Sequence, residues 1–307
     1  MKIFASDRYA MPLPHGHTFP MDKYRLLGEA VRRLNLVPHN DIREPCPATD
    51  EEILRVHTAD YLERLEAGRL TETEVRRIGL PWSSALVARA RTSAGATLDA
   101  CRASLNGRVA VNLGGGTHHA FPDHGQGYCV LNDAAIAVRA LQAEGAVARM
   151  LIVDCDVHQG NGTAFIFRDD PRVFTFSIHG DKNFPLRKGR SDIDVALADG
   201  TGDADYLAAL AGGLAQAVPA ARAELVIYLA GADPFREDRF GRLKLSREGL
   251  LARDRLAFES CHRAGLPVAV TMAGGYAPQV EDIVAIHLNT IRAALEFERV
   301  TAARTGR

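Results

Sequence analysis

The stretch that decides the fold is Leu151-Ile-Val-Asp-Cys-Asp-Val-His-Gln-Gly-Asn-Gly-Thr163. It opens as a short apolar run, residues 150–153, bounded by polar and glycine residues, which fits a buried strand better than a helix. Asp154, Asp156 and His158 follow at spacing two. In extended backbone, side chains at i, i+2 and i+4 fall on one side. Carboxylates and an imidazole gathered at a strand end suit zinc or a similar divalent ion. Gly160 and Gly162 then allow a sharp turn into a following helix. Taken alone, the stretch reads equally as a strand end whose Asp residues hold a turn, and the rest of the chain has to decide.

On either side of it, apolar runs alternate with helical patterns. Strands are predicted at 3–5, 109–113 (alternating), 173–178, Ile193–Leu197, Leu225–Leu229 and 268–272. Helices are predicted at 21–34, Ala59–Glu66, 81–103, 131–143, 203–217, 246–264 and 280–298. A further short helix is expected after Thr49, which forms a capping-box pattern with Glu52. Residues 11–20 hold three prolines and cannot be helical. That loop, with His15, His17 and Phe19, is either a solvent-facing connector or part of a site. Alternating strands and helices predict an α/β fold, a parallel sheet with helices on both faces. Neither a linker nor a repeat divides the chain, so one domain over residues 1–307 is expected.

Composition narrows the function. A net charge of −1 gives no strong field toward nucleic acid or an anionic membrane. The five cysteines are scattered, with no Cys-x-x-Cys, which fits reduced thiols in a cytoplasmic protein. The first residues lack the apolar segment of a signal peptide, and no run approaches the ~18–20 apolar residues of a membrane span.

In open parallel sheets, sites lie beyond the carboxyl ends of the strands. The first of these ends carries Gly114-Gly115-Gly116-Thr117-His118-His119. The others carry Asp154, Asp156 and His158; His179; Gly231-Ala232-Asp233-Pro234; and Gly274-Gly275-Tyr276. Asp156, His158 and Asp233 can supply three ligands and leave a metal position open, as catalytic sites do. A metal so held activates water and polarises a carbonyl. Histidine is the side chain that ordinarily titrates near neutrality, so His118 and His119 can serve as base and acid. Asp154 can fix the tautomer of one of them, and Tyr276 can donate to a developing oxyanion. These parts specify metal-assisted hydrolysis of an amide. His57 and His179 are expected to be structural.

Five strings in this order, Gly-Gly-Gly-Thr-His-His-Ala, Gly-Tyr-Cys-Val-Leu-Asn-Asp, Asp-Cys-Asp-Val-His-Gln-Gly-Asn-Gly-Thr, Ala-Gly-Ala-Asp-Pro and Ala-Gly-Gly-Tyr, resemble the zinc-dependent histone deacetylase family. The Pro-Leu-Pro-x-Gly-His-x-Phe-Pro-Met-x-Lys-Tyr and Arg-Arg-Ile-Gly-Leu-Pro-Trp-Ser segments look most like its class IV branch and bacterial relatives. The resemblance implies an arginase/deacetylase fold, a three-layer α/β/α domain around an eight-stranded parallel sheet. It implies zinc, or another divalent ion such as Fe2+, on Asp156, His158 and Asp233. His119 matches the general base-acid, His118 its electrostatic partner backed by Asp154, and Tyr276 the carbonyl-polarising tyrosine. Asp154, Asp156, His158, Ser177 and Ile178 match a monovalent-cation site, usually potassium. Gly127 and Tyr128, with Gly274 and Gly275, match the substrate tunnel.

Two departures stand out. Asn161 replaces the Asp that some members place behind the second His, so it accepts the imidazole hydrogen bond without adding charge. Tyr128 replaces a Phe and makes the tunnel wall more polar. The expected substrates are acyl-lysine in proteins or peptides, or small acylated amines such as acetylpolyamines. An arginase-like amidinohydrolase needs an Asp-x-Asp pair, but Asp233 is followed by Pro234-Phe235. A non-catalytic acyl-amine binder is the remaining alternative, although such a binder would be expected to lose Tyr276 or the His pair.

Overall fold

A computed structural model of the chain describes residues 1–305. In chain order its elements are β1 (Lys2–Phe4), α1 (Asp22–Arg33), β2 (Ile42–Arg43), α2 (Asp50–Leu54), α3 (Ala59–Glu66), α4 (Glu72–Ile78), α5 (Ser84–Gly107), β3 (Val109–Asn112), α6 (Asp133–Ala143), β4 (Met150–Asp154), α7 (Asn161–Phe167), β5 (Val173–Gly180), β6 (Ile193–Leu197), α8 (Asp203–Ala221), β7 (Leu225–Leu229), α9 (Arg247–Arg263), β8 (Val268–Thr271) and α10 (Val280–Thr305). The eight strands form one sheet in the order β2-β1-β3-β8-β7-β4-β5-β6, every pair parallel. Helices α1, α10, α9 and α8 pack side by side in one layer, while α5 and α6 pack together in the other. This is the eight-stranded α/β architecture that the resemblance implies. None of the described helices is long and apolar enough to cross a membrane.

The central strands are buried on both faces, so they read as continuous apolar runs rather than alternating ones. Strands β4 and β7 are buried at every residue. Each fully buried Val, Leu or Ile there contributes roughly 1.5–3 kcal/mol of transfer free energy. The order β3-β8-β7-β4-β5 has a direct consequence for the site. Strand ends far apart in sequence become neighbours at the carboxyl end of the sheet, and the stretches that follow residues 112, 154, 180, 229 and 271 meet there.

Several sequence expectations shift. The strand at 109–113 is not alternating; all four residues of β3 are buried, including Asn112. The Asn112 Oδ1 accepts the Tyr9 hydroxyl and the Gly114 N–H, both at 2.8 Å, so a polar residue is satisfied inside. The first strand begins one residue earlier, and β2, two residues long, is not among the strands expected from the sequence. Helix α4 was not anticipated. Helix α8 continues through Pro219 to Ala221, and α10 runs past residue 298 to Thr305. The one-domain expectation over 1–307 includes residues 306–307, which lie outside the described residues.

Candidate active site

The stretches that follow β3, β4, β7 and β8 build the floor of the site. After β3 the chain turns through Gly115 and Gly116, at φ +82° and +74°, a region that favours glycine. Asp133, at the start of α6, ties this loop down. Its Oδ2 accepts the Gly116 N–H at 2.9 Å and its Oδ1 accepts the Thr117 N–H at 2.7 Å. His118 and His119 are thereby fixed side by side and buried, their ring centroids 4.1 Å apart.

Each imidazole has its own partner. The His118 Nδ1 lies 2.6 Å from Asp154 Oδ2, and the His119 Nδ1 lies 2.7 Å from Asn161 Oδ1. An amide oxygen only accepts, so His119 carries its proton on Nδ1 and leaves Nε2 as an acceptor. Burial disfavours protonated His118, but the Asp154 and Asp156 carboxylates outweigh it and hold its pKa up at about 9. Burial and the charge of its two histidine neighbours push His119 well below the usual imidazole range.

The extended spacing of Asp154, Asp156 and His158 does not continue past the end of β4. Asp154 turns to His118, whereas Asp156 and His158 turn to Asp233 beyond β7. The reason is local: Asp154 Oδ1 accepts the Asp156 N–H at 3.1 Å and Asp156 Oδ1 accepts the His158 N–H at 2.9 Å, a pair of Asx turns. The donor atoms of Asp156, His158 and Asp233 come within 4.8 Å of one another, and all three residues are buried. Backbone N–H groups aim the carboxylates: Gly274 donates to Asp156 Oδ2 at 2.8 Å and Val157 to Asp233 Oδ1 at 2.9 Å. A Cβ on Gly274 would collide with both carboxylates, so only glycine fits there.

Asp233 Oδ2 is buried without a hydrogen-bond partner; His158 Nδ1 is 3.2 Å away but out of alignment. Burial and the adjacent Asp156 carboxylate push Asp233 up to about 7. Two crowded carboxylates, one with an orphaned oxygen, and an imidazole are a donor set that a divalent cation would satisfy.

Tyr276 closes the other side, its ring 6.3 Å from that of His158. Burial pushes its hydroxyl well above the usual phenol range, so the hydroxyl remains a donor. Its N–H donates to Asp238 Oδ2 at 2.6 Å, while Asp238 Oδ1 accepts the N–H groups of Phe240 and Gly241 at 2.8 and 2.9 Å. Beneath it, buried Lys23 donates to the Ala273 and Gly275 carbonyls at 3.3 Å and sits 5.3 Å from the Tyr276 ring centroid.

Above this floor opens a cavity of about 510 Å³, lined among others by Gly127, Tyr128, Phe184, Phe240, His119, His158 and Tyr276. Gly127 and Tyr128 both have positive φ, +54° and +65°. A Cβ on Gly127 would meet His119 at 2.9 Å and Phe184 at 3.1 Å. Phe184 stands edge-on to His119 at 4.9 Å. The loop at 11–20 contributes to the site: Phe19 is buried 5.0 Å from Tyr128 and 6.1 Å from Tyr276, and Thr18 Oγ1 shares a hydrogen bond of 3.0 Å with the Tyr128 hydroxyl.

The structure thus brings together His118, His119, Asp154, Asn161, Asp156, His158, Asp233, Tyr276, Gly127, Tyr128, Gly274 and Gly275. Ser177 and Ile178 lie on β5, with Ser177 in register with Asp154. His179 is buried there, its Nδ1 2.9 Å from Ser177 Oγ. His57 accepts the Asn132 N–H at 2.9 Å. Sequence reasoning missed Lys23, Asp133, Phe184, Asp238 and Phe240 as parts of the site. Of these, Lys23 and Asp133 stand within quoted motifs, whereas Phe184, Asp238 and Phe240 stand in none.

A family model described as a histone deacetylase domain matches residues 17–291. The chain is 44% identical to a protein of Picosynechococcus sp. described as uncharacterized, over 93% of this chain and 95% of that one. It is 31% identical to the histone deacetylase-like amidohydrolase of Pseudomonas aeruginosa, over 86% of this chain and 74% of that one. Among solved structures, an HDAC homolog complexed with SAHA superposes with a TM-score of 0.81 at 25% identity, covering 97% of this chain and 88% of that one. The chain belongs to the histone deacetylase family.

Proposed function

We propose that this hydrolase removes acetyl or longer acyl groups from amines, with the ε-amine of acyl-lysine as its substrate, using zinc held by Asp156, His158 and Asp233. The observation that carries the reading is the orphaned Asp233 Oδ2, buried against Asp156 and His158 at the base of a cavity that His119 and Tyr276 also line. When bound, the ion supplies Lewis acidity to the acyl carbonyl and to water. The protein's own groups do the rest. His119 Nε2 takes a proton as water adds to the carbonyl carbon. The Tyr276 hydroxyl donates to the oxyanion that forms. The carbon–nitrogen bond then breaks as His119 returns the proton to the leaving amine, giving a carboxylic acid and a free amine. Asp154 orients His118, and Asn161 orients His119, each through Nδ1.

The same reading places a monovalent cation, potassium, near Asp154, Asp156, His158, Ser177 and Ile178, supported by the Asp154–Ser177 register. The class IV likeness of the 12–24 and 76–83 segments favours acyl chains longer than acetyl. That every described strand belongs to one sheet supports a single domain. The test is a panel of acyl-lysine peptides and acetylpolyamines of graded acyl length. Zinc-loaded protein is expected to hydrolyse the peptides, to lose activity on chelation and to regain it with zinc. A zinc-loaded protein inert on every member would replace this reading with the binder.

A further inference from the structure

The mouth of the cavity is charged in one sense only. Arg77, Lys182, Arg239 and Arg242 line it, all four are exposed, and its lining contains no Asp or Glu. This contrasts with a whole chain of net charge −1. Arg242 pairs with Asp199 at 2.7 Å, but Arg77, Lys182 and Arg239 have no acid within ion-pair distance among the described residues. The four come from three separate segments: the end of α4, the loop after β5 and the loop after β7. Their convergence is therefore a property of the fold and not of one basic run. Outside the lining, residues 181–190 add exposed Arg187 and Arg190 against a single acid, Asp181. Between the cations stand half-exposed Phe184 and Phe240, which give a peptide an apolar surface to lie on.

We infer that the mouth selects acyl-lysines flanked by acidic residues and rejects cationic acylated amines, polyamines and basic peptides alike. The inference rests on the acyl-lysine reading above and adds the substrate class to it. Unpaired guanidinium and ammonium groups around an opening attract carboxylates and repel amines, and the effect is screened by salt. An acetylpolyamine would bring several positive charges to this ring with no carboxylate to meet them. An acidic peptide would place its side chains among Arg77, Lys182 and Arg239 while the acyl-lysine reaches the floor.

The test uses zinc-loaded, full-length protein and two fluorescent peptides in which a methyl ketone replaces the scissile amide. One has Glu on both sides of the lysine analogue, the other Lys. By anisotropy at low salt the acidic peptide is expected to bind about tenfold more tightly, with the difference collapsing at high salt. The double variant Arg77→Glu/Arg239→Glu is expected to reverse the order. Should that variant fail to fold by circular dichroism, the salt response of the wild-type pair decides. Equal binding, or tighter binding of the basic peptide, overturns the inference. Turnover of the corresponding amides is measured in parallel. A binding preference without turnover of any acyl amine leaves the charge selection standing and removes the hydrolase reading; turnover without preference does the reverse.

Discussion

The floor of the cavity and its mouth are held by different means. On the floor, the Asp156 and Asp233 carboxylates are each aimed by a backbone N–H from a neighbouring strand end, that of Gly274 for Asp156 and that of Val157 for Asp233. These donors belong to a sheet whose central strands are wholly buried. The mouth is lined by side chains from loops and helix ends, with half-exposed aromatics and unpaired cations. Geometry on the floor is set by the sheet, whereas at the mouth it is set from loop to loop: Gly127 and Tyr128 N–H donate to the Arg77 and Ile78 carbonyls at 3.1 and 2.7 Å, and Arg242 N–H donates to Asn183 Oδ1 at 3.2 Å. Asp238 joins the two regions: one of its oxygens holds the N–H of Tyr276 and the other holds the loop carrying Phe240.

The largest expected effect lies on the floor. Asp233→Ala removes a metal donor and leaves Asp156 and His158 alone, so zinc affinity is expected to fall by more than about 100-fold and turnover to background. Stoichiometric metal analysis checks this; retained zinc would remove Asp233 from the ligand set. A smaller effect is expected where floor and mouth meet. Asp238→Asn keeps one acceptor but turns an amide N–H toward a backbone N–H, a mismatch costing about 1–3 kcal/mol. Zinc content should stay unchanged while kcat falls about tenfold through misplacement of Tyr276. A loss of zinc with this variant would mean that mouth and floor are not separable.

The same division governs what could be read from the sequence. Floor residues follow apolar strands directly, so His118, Asp156, Asp233 and Tyr276 are found by asking what each strand end carries. Periodicity alone put Asp154 on one side with Asp156 and His158, while the resemblance set it behind His118, where it stands; the Asx turns that replace extended backbone once β4 ends carry Asp156 and His158 away from it. The mouth was mostly illegible. Phe184 and Phe240 sit in loops with no period, and only the fold brings them together. Helix α4 is a different case. Thr71 and Glu74 form a capping box like that of Thr49 and Glu52, and Gly79 at φ +78° ends the helix, so its signal was present and simply unused. That helix delivers Arg77, Ile78 and Gly79 to the cavity.

The most direct test of the central claim, that a metal-holding floor and a tyrosine donor act together on an acyl amide, is the Tyr276→Phe variant measured for zinc content and for turnover of an acyl-lysine peptide in the same preparation. The expected result is zinc bound as in the wild type, with kcat lower by about 100- to 1000-fold. Turnover at the wild-type rate, or loss of zinc with the hydroxyl, would contradict it.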